Sequence, residues 1–197
     1  MTRVAVYSTA LVAFVAATAM TFASIFIPNW LSYEIDSPTG KFTKTLGLHR
    51  SCSSVGDGSC QHFPQYDDCH GTDRYFCSMW KSVGFMMSSA AVFELVTLVA
   101  FCVLITGGKQ KRETGWKVLS FMLMLVGILQ CAAMAIVSYL FDTDDRFFVG
   151  WKLSEGWILC TVSWCICVVT AIFISASAFI FAPEDGYELI PSERYVD

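Results

Sequence analysis

Residues 30–77 read WLSYEIDSPTGKFTKTLGLHRSCSSVGDGSCQHFPQYDDCHGTDRYFC and form the one long polar stretch of the chain. Their pattern predicts short strands. Trp30, Tyr33 and Ile35 are β-formers, and Phe42, Leu46 and Leu48 then alternate with Thr43, Thr45 and Gly47, as in a strand with one buried face. Ser37-Pro38-Thr39-Gly40 and Gly56-Asp57-Gly58 are turn formers. Four cysteines, Cys52, Cys60, Cys69 and Cys77, punctuate the second half. So small a sheet cannot bury much core of its own, so it needs cross-links and a larger body to rest on.

Working outward, that body is apolar. Of the 197 residues 55% are hydrophobic and 15% charged, outside the usual balance of a water-soluble domain. Four runs stand out, at about 4–27, 83–106, 118–141 and 156–181. The first has no charge over its 24 residues, enough for a helix to cross a hydrocarbon core of about 30 Å. Its alternative reading is a cleaved leader, with Arg3 as basic flank and Ala17-Thr18-Ala19 as cleavage site, but leader cores usually run only about 7–15 residues. Its many small residues, Ala10, Ala13, Ala16, Ala17, Ala19, Ala23 and Ser24, suit close approach of helices in lipid.

Lys109, Lys111, Arg112 and Lys117 crowd the loop at 107–117, whereas the connector at 142–155 is acidic. Positive loops stay cytoplasmic, so both termini, including the tail at 182–197, are expected inside. The 28–82 and 142–155 loops are then extracellular. Trp30, Trp80, Trp151 and Trp157 would mark the outer membrane boundary and Trp116 the inner, as interfacial anchors. The fold expected is an all-α membrane four-helix bundle, a single four-pass domain over 1–197, carrying a small disulfide-tied extracellular β-sheet.

An oxidising compartment makes two disulfides the expectation for Cys52, Cys60, Cys69 and Cys77. Three pairings exist, and equal spacings of eight make Cys52–Cys60 with Cys69–Cys77 the simplest. A zinc site with His49, His62 and His70 is the sharper alternative, but no close Cys-x-x-Cys or His-x₃-His pair supports it, and no metal is expected. The other five cysteines, Cys102, Cys131, Cys160, Cys165 and Cys167, lie in apolar runs and read as small buried hydrophobes, Cys102 also as a palmitoylation candidate.

Trp30, Gly47-Leu48, Arg50, Cys52 and Cys60, on the loop after the first of four spans, resemble the motif of the claudin superfamily. That superfamily groups claudins, peripheral myelin protein relatives, calcium-channel γ subunits and fungal cell-cortex and pH-sensing four-pass proteins. Gly-Leu-x-Arg-x-Cys followed by His62-Phe63-Pro64 is most similar to the γ-subunit branch. His49 stands where the family has its second Trp, Cys69 and Cys77 are additional, and the tail ends Tyr195-Val196-Asp197. The resemblance implies a Cys52–Cys60 bond, with Trp30 and Leu48 packing the sheet onto the membrane surface.

The sequence offers no catalytic set, cofactor motif or small-molecule substrate site, and a net charge of −4 with scattered basic residues argues against nucleic acid. Tyr187 and Ile190 frame a possible tyrosine sorting motif. The least ordinary intramembrane residue is Glu94. It is central in its run, as Gln130 is in the next, with Thr18 and Thr170 near the midpoints of the others. An acid at that depth costs about 2.5–3.5 kcal/mol on insertion scales. It should therefore face the bundle, as a neutral acid donating to Gln130. The function expected is structural: a plasma-membrane protein that organises its surroundings by lateral association with itself or another membrane protein, in adhesion, a barrier or a cortical domain. An auxiliary subunit modulating a channel or transporter is the alternative, and a transporter in its own right a third.

Overall fold

The computed structural model describes residues 3–37, 40–54, 59–70, 74–107 and 109–180. Tyr187 and Ile190, the turn residues Pro38 and Thr39, and the Gly56-Asp57-Gly58 turn lie outside them. The elements run α1 (Arg3–Phe26), β1 (Leu31–Ser37), β2 (Gly40–Leu46), β3 (Arg50–Ser53), β4 (Cys60–His62), α2 (Tyr66–His70), α3 (Arg74–Thr106), α4 (Lys109–Thr143), β5 (Trp151–Leu153) and α5 (Glu155–Ile180). Stretches Val4–Phe26, Tyr75–Thr106, Thr114–Thr143 and Glu155–Ile180 are each long and apolar enough to cross a membrane. The chain is a four-pass membrane protein.

The helices pack in a ring, α1 on α3, α3 on α4, α4 on α5 and α5 on α1, with the α1–α3 seam the least extensive. Outward faces stay apolar: Val12, Phe85, Val99, Phe121, Ile128 and Val169 are all exposed. Water would penalise such a surface, whereas lipid tails do not. On α1 the buried stripe is Ala10, Phe14, Ala17, Thr21 and Ser24, a spacing of three and four that keeps one face turned to its neighbours. Ala16 and Ala19 face outward instead.

Two element boundaries correct the sequence reading. The segment 28–82 is not loop to its end, because α2 lies in it and α3 starts at Arg74. Likewise α4 begins at Lys109, so most of 107–117 is helical. Apolar runs mark what lies in lipid, but the backbone hydrogen-bond ladder continues without apolar side chains. The 33 residues of α3 span about 50 Å at 1.5 Å each, well beyond a hydrocarbon core of about 30 Å. One strand was also missed: Trp151–Leu153, within the acidic connector, pairs with β1.

The sheet is antiparallel in the order β4-β3-β2-β1-β5. Its two faces differ, with Lys44 the polar exception on the inner one. Ser32 pairs with Thr45 and Lys152, and Glu34 with Thr43, on the polar face. Leu31 pairs with Leu46 and Leu153, and Tyr33 with Lys44 and Trp151, on the face turned to the bundle. Cys52 and Cys60 are direct partners across β3 and β4 and are bonded to each other. A second disulfide, Cys69–Cys77, ties α2 to the opening turns of α3.

Trp30 joins sheet to bundle. It is fully buried, and its Nε1 donates to Ser24 O at 2.6 Å. Its backbone N donates to Leu46 O at 2.7 Å, and its O accepts from Ser154 N at 2.9 Å. Burying an indole of about 200 Å² at about 25 cal/mol/Å² stabilises by roughly 5 kcal/mol before entropy. Gly156 makes room: a Cβ there would lie 2.6 Å from Trp30 Cδ1. Gly47 has the same reason to be glycine, since a Cβ would lie 2.5 Å from Pro28 Cα. Trp80, 1% exposed, donates from Nε1 to Leu48 O at 3.3 Å. Trp30 and Trp80 are therefore core residues rather than interfacial anchors, because the sheet covers the link after α1 and the opening turns of α3 on which they sit.

Candidate functional site

The bundle core falls into two apolar clusters. The one beneath the sheet contains Trp30, Leu48, Trp80, Met87, Met134 and Cys160. The other, toward the far end, contains Tyr7, Phe14, Phe101, Leu123, Cys167 and Ile174. Between them lies a polar layer to which each of the four membrane helices contributes one side chain: Thr21 from α1, Glu94 from α3, Gln130 from α4 and Ser163 from α5. All four are fully buried.

Its hydrogen bonds converge on one carboxyl oxygen. Thr21 Oγ1 donates to Glu94 Oε1 at 2.7 Å, and Gln130 Nε2 donates to the same oxygen at 2.8 Å. Gln130 Nε2 also donates to Thr21 Oγ1 at 2.8 Å. Ser163 Oγ lies 2.8 Å from Thr21 Oγ1 and 3.0 Å from Ala17 O. A threonine hydroxyl has one proton and two lone pairs. Given to Glu94, that proton leaves Thr21 free to accept from Gln130, while Ser163 donates to Ala17. Among the described residues Glu94 Oε2 and Gln130 Oε1 have no partner.

Relative to the sequence reading, Glu94 and Gln130 meet, but the amide donates to the carboxyl rather than the reverse. Thr18 and Thr170 do not join them. Thr18 Oγ1 donates to Phe14 O at 2.9 Å within its own helix, and Thr170 is buried on α5 two turns from Ser163. Thr21 and Ser163 lie on the sheet side of the midpoints of their apolar runs, so the layer does not cross every run at its centre. Thr21 and Ser163 were missed. For Thr21 the signal was present, since it continues the Ala10-Phe14-Ala17 stripe; Thr18 is about 100° round the helix from Ala17. The layer offers one carboxyl and three neutral groups, and its hydrogen bonds suit fixing helices together.

The second feature is a cleft of about 630 Å³ between the inner face of the sheet and the connector ahead of β5. Phe63, Phe76 and Phe147 form aromatic walls, and Lys44, Gln61 and Arg146 supply polar ones. Phe63, Phe76 and Trp80 form a close group, with ring centroids 5.3–6.0 Å apart. The Arg146 guanidinium lies 4.5 Å from the Phe76 centroid, with Nε 3.9 Å from Asp144 Oδ1. A cation over a ring face beside a carboxylate is held in place by both.

The motif residues serve mainly to seat this sheet. Trp30 and Leu48 are buried under it, Gly47 passes against Pro28, Cys52–Cys60 closes β3 onto β4, and Arg50 is exposed. All four cysteines of the polar segment are in disulfides, which leaves no thiolate there for zinc. Of the other five, Cys160 and Cys167 are buried, whereas Cys102, Cys131 and Cys165 are exposed on the outside of the bundle. Burial was expected for all five. Where the solvent is lipid, a thiol meets an apolar medium on either side of a helix and is not forced inward. Compared with known proteins, the chain matches no protein-family model and no curated sequence.

Proposed function

We propose that this is a claudin-like four-pass protein of the plasma membrane, with both termini cytoplasmic and the sheet outside, acting as a structural organiser through lateral assembly. The observation that carries this reading is the way Trp30 locks the sheet to the bundle. Its three hydrogen bonds reach α1, β2 and the start of α5, so the sheet is a rigid platform rather than a tethered loop. A platform fixed above lipid-facing helices suits holding neighbours at a set distance and orientation. Orientation rests on charge: Lys109, Lys111, Arg112 and Lys117 lie at the end away from the sheet, and Asp142, Asp144 and Asp145 beside it.

The test is chemical cross-linking in intact cells, followed by purification in mild detergent and identification of whatever travels with the protein. Ladders of the protein with itself, retained after purification, are the expected result. A stoichiometric channel or transporter subunit, with no self-cross-links, would replace this reading with the auxiliary-subunit one. That second reading draws on Phe63, the centre of the γ-like His62-Phe63-Pro64 stretch, which walls the cleft with Arg146 at its rim. A partner's side chain could be gripped there.

A further inference from the structure

Where α1 and α3 meet the sheet, four basic side chains gather: His49, Arg50, His62 and Lys81. All four are exposed. Arg50 and His62 are direct partners across β3 and β4. His49 reaches α3, with its Cε1 3.5 Å from the Cβ position of Gly84, one turn beyond Lys81. Beneath them lie two adjoining clefts, of about 320 and about 250 Å³, with Leu48 and His49 as their common wall. Arg50 lines the first, and His62 and Lys81 the second. Among the described residues neither lining contains a carboxylate and none of the four basic side chains is ion-paired.

The floor of both clefts is apolar and opens toward lipid. Phe26, at the end of α1, is 75% exposed, and Phe85, one turn below Lys81 on α3, is 73% exposed. Lys81, Phe85 and Ser88 follow one another down the same face of α3, with charge above and ring below. A ligand matching this has an anionic head and an apolar body hanging into the bilayer. We infer that these clefts bind the phosphate headgroup of a phospholipid in the leaflet on the sheet side, with His49, Arg50, His62 and Lys81 around the phosphate and acyl chain against Phe26 and Phe85. The inference needs only the membrane-spanning fold and holds for an organiser or an auxiliary subunit alike.

The test is native mass spectrometry of the full-length protein in detergent, titrated with phosphatidylserine, comparing wild type with Arg50→Ala, Lys81→Ala and the double variant. Lys41→Ala removes an equal formal charge from the opposite end of the sheet, at the start of β2, where Lys41 pairs with Glu34, and is the control. Each of the first two should weaken lipid binding about fivefold and the pair about 25-fold, as one interfacial cation is worth near a membrane surface, with the control unchanged. Both substituted side chains are exposed, and intact disulfides with monodisperse elution check the fold. An equal loss in the control would reduce the effect to net charge and overturn the site. So would absence of any lipid adduct, or displacement of the lipid by millimolar inorganic phosphate, which would mean that the clefts take a free anion. If a protein partner is lost from the double variant in cells while lipid binding is unaltered, the clefts serve an acidic protein segment and the inference fails.

Discussion

Replacing Gln130 by Leu removes the amide that bridges α4 to both α3 and α1. Two hydrogen bonds go, to Glu94 Oε1 and to Thr21 Oγ1, each 2.8 Å long. Interhelical hydrogen bonds in membranes average about 0.6 kcal/mol, so the expected loss is about 1.2 kcal/mol. Thr21→Val removes two interhelical hydrogen bonds, to Glu94 and Gln130, and should cost about 1.2 kcal/mol on the same scale. The two substitutions share the Thr21–Gln130 bond. The double variant should therefore lose about 1.8 kcal/mol rather than the roughly 2.4 of simple addition, a coupling of about 0.6 kcal/mol. Equilibrium unfolding in mixed micelles, followed by tryptophan fluorescence, measures all three differences. Single variants as stable as wild type, or a double variant that is strictly additive, would refute the layer as the fastening between helices.

Glu94→Gln keeps an acceptor oxygen for Thr21 and Gln130, and the protein should assemble and reach the cell surface nearly as wild type does; a pH-dependent activity lost with assembly intact would instead make Glu94 an ion-handling group. Gly156→Ala places a methyl 2.6 Å from the Trp30 ring and should cost about 1–3 kcal/mol, read as a lowered Tm, with proteolysis reporting whether the sheet loosens first. Removing Cys69 and Cys77 together opens a loop with a sequence separation of eight, for which chain entropy predicts about 2.5 kcal/mol, measured by unfolding with and without reductant. Non-reducing peptide mapping should give Cys52–Cys60 and Cys69–Cys77, and free thiols at all four positions would contradict both bonds.

What the sequence disclosed and what it hid follow from the range of each interaction. Apolar runs disclosed four spans because a bilayer imposes one length on every crossing. Alternation from Phe42 disclosed a strand because its two faces meet different surroundings, although the strand ends at Leu46 and Gly47 and Leu48 lie beyond it. The strand at Trp151–Leu153 was hidden, since three residues are too few for a period and its partner β1 lies over 110 residues away. The start of α3 at Arg74 was hidden because Lys81 and Ser82 break the apolar run without breaking the helix. Glu94 and Gln130 stand out in any hydropathy reading. Thr21 and Ser163 do not, because a hydroxyl in a helix can satisfy itself on its own backbone, and only packing decides which one reaches across. The burial of Trp30 and Trp80 was equally illegible, because an indole near the end of a span looks the same whether lipid or sheet covers it.

The polar layer also bears on how the chain is made. Thr21 enters the membrane early in synthesis, Glu94 follows, Gln130 comes on the third crossing and Ser163 on the last. Until α4 is in place the Glu94 carboxyl has only Thr21 to accept from, and until α5 arrives the layer is open on one side. An unfinished or truncated chain therefore carries an exposed acid in hydrocarbon, and a complete one does not. Completion of synthesis therefore coincides with the enclosure of a carboxyl that lies uncovered in hydrocarbon until α4 and α5 have joined it.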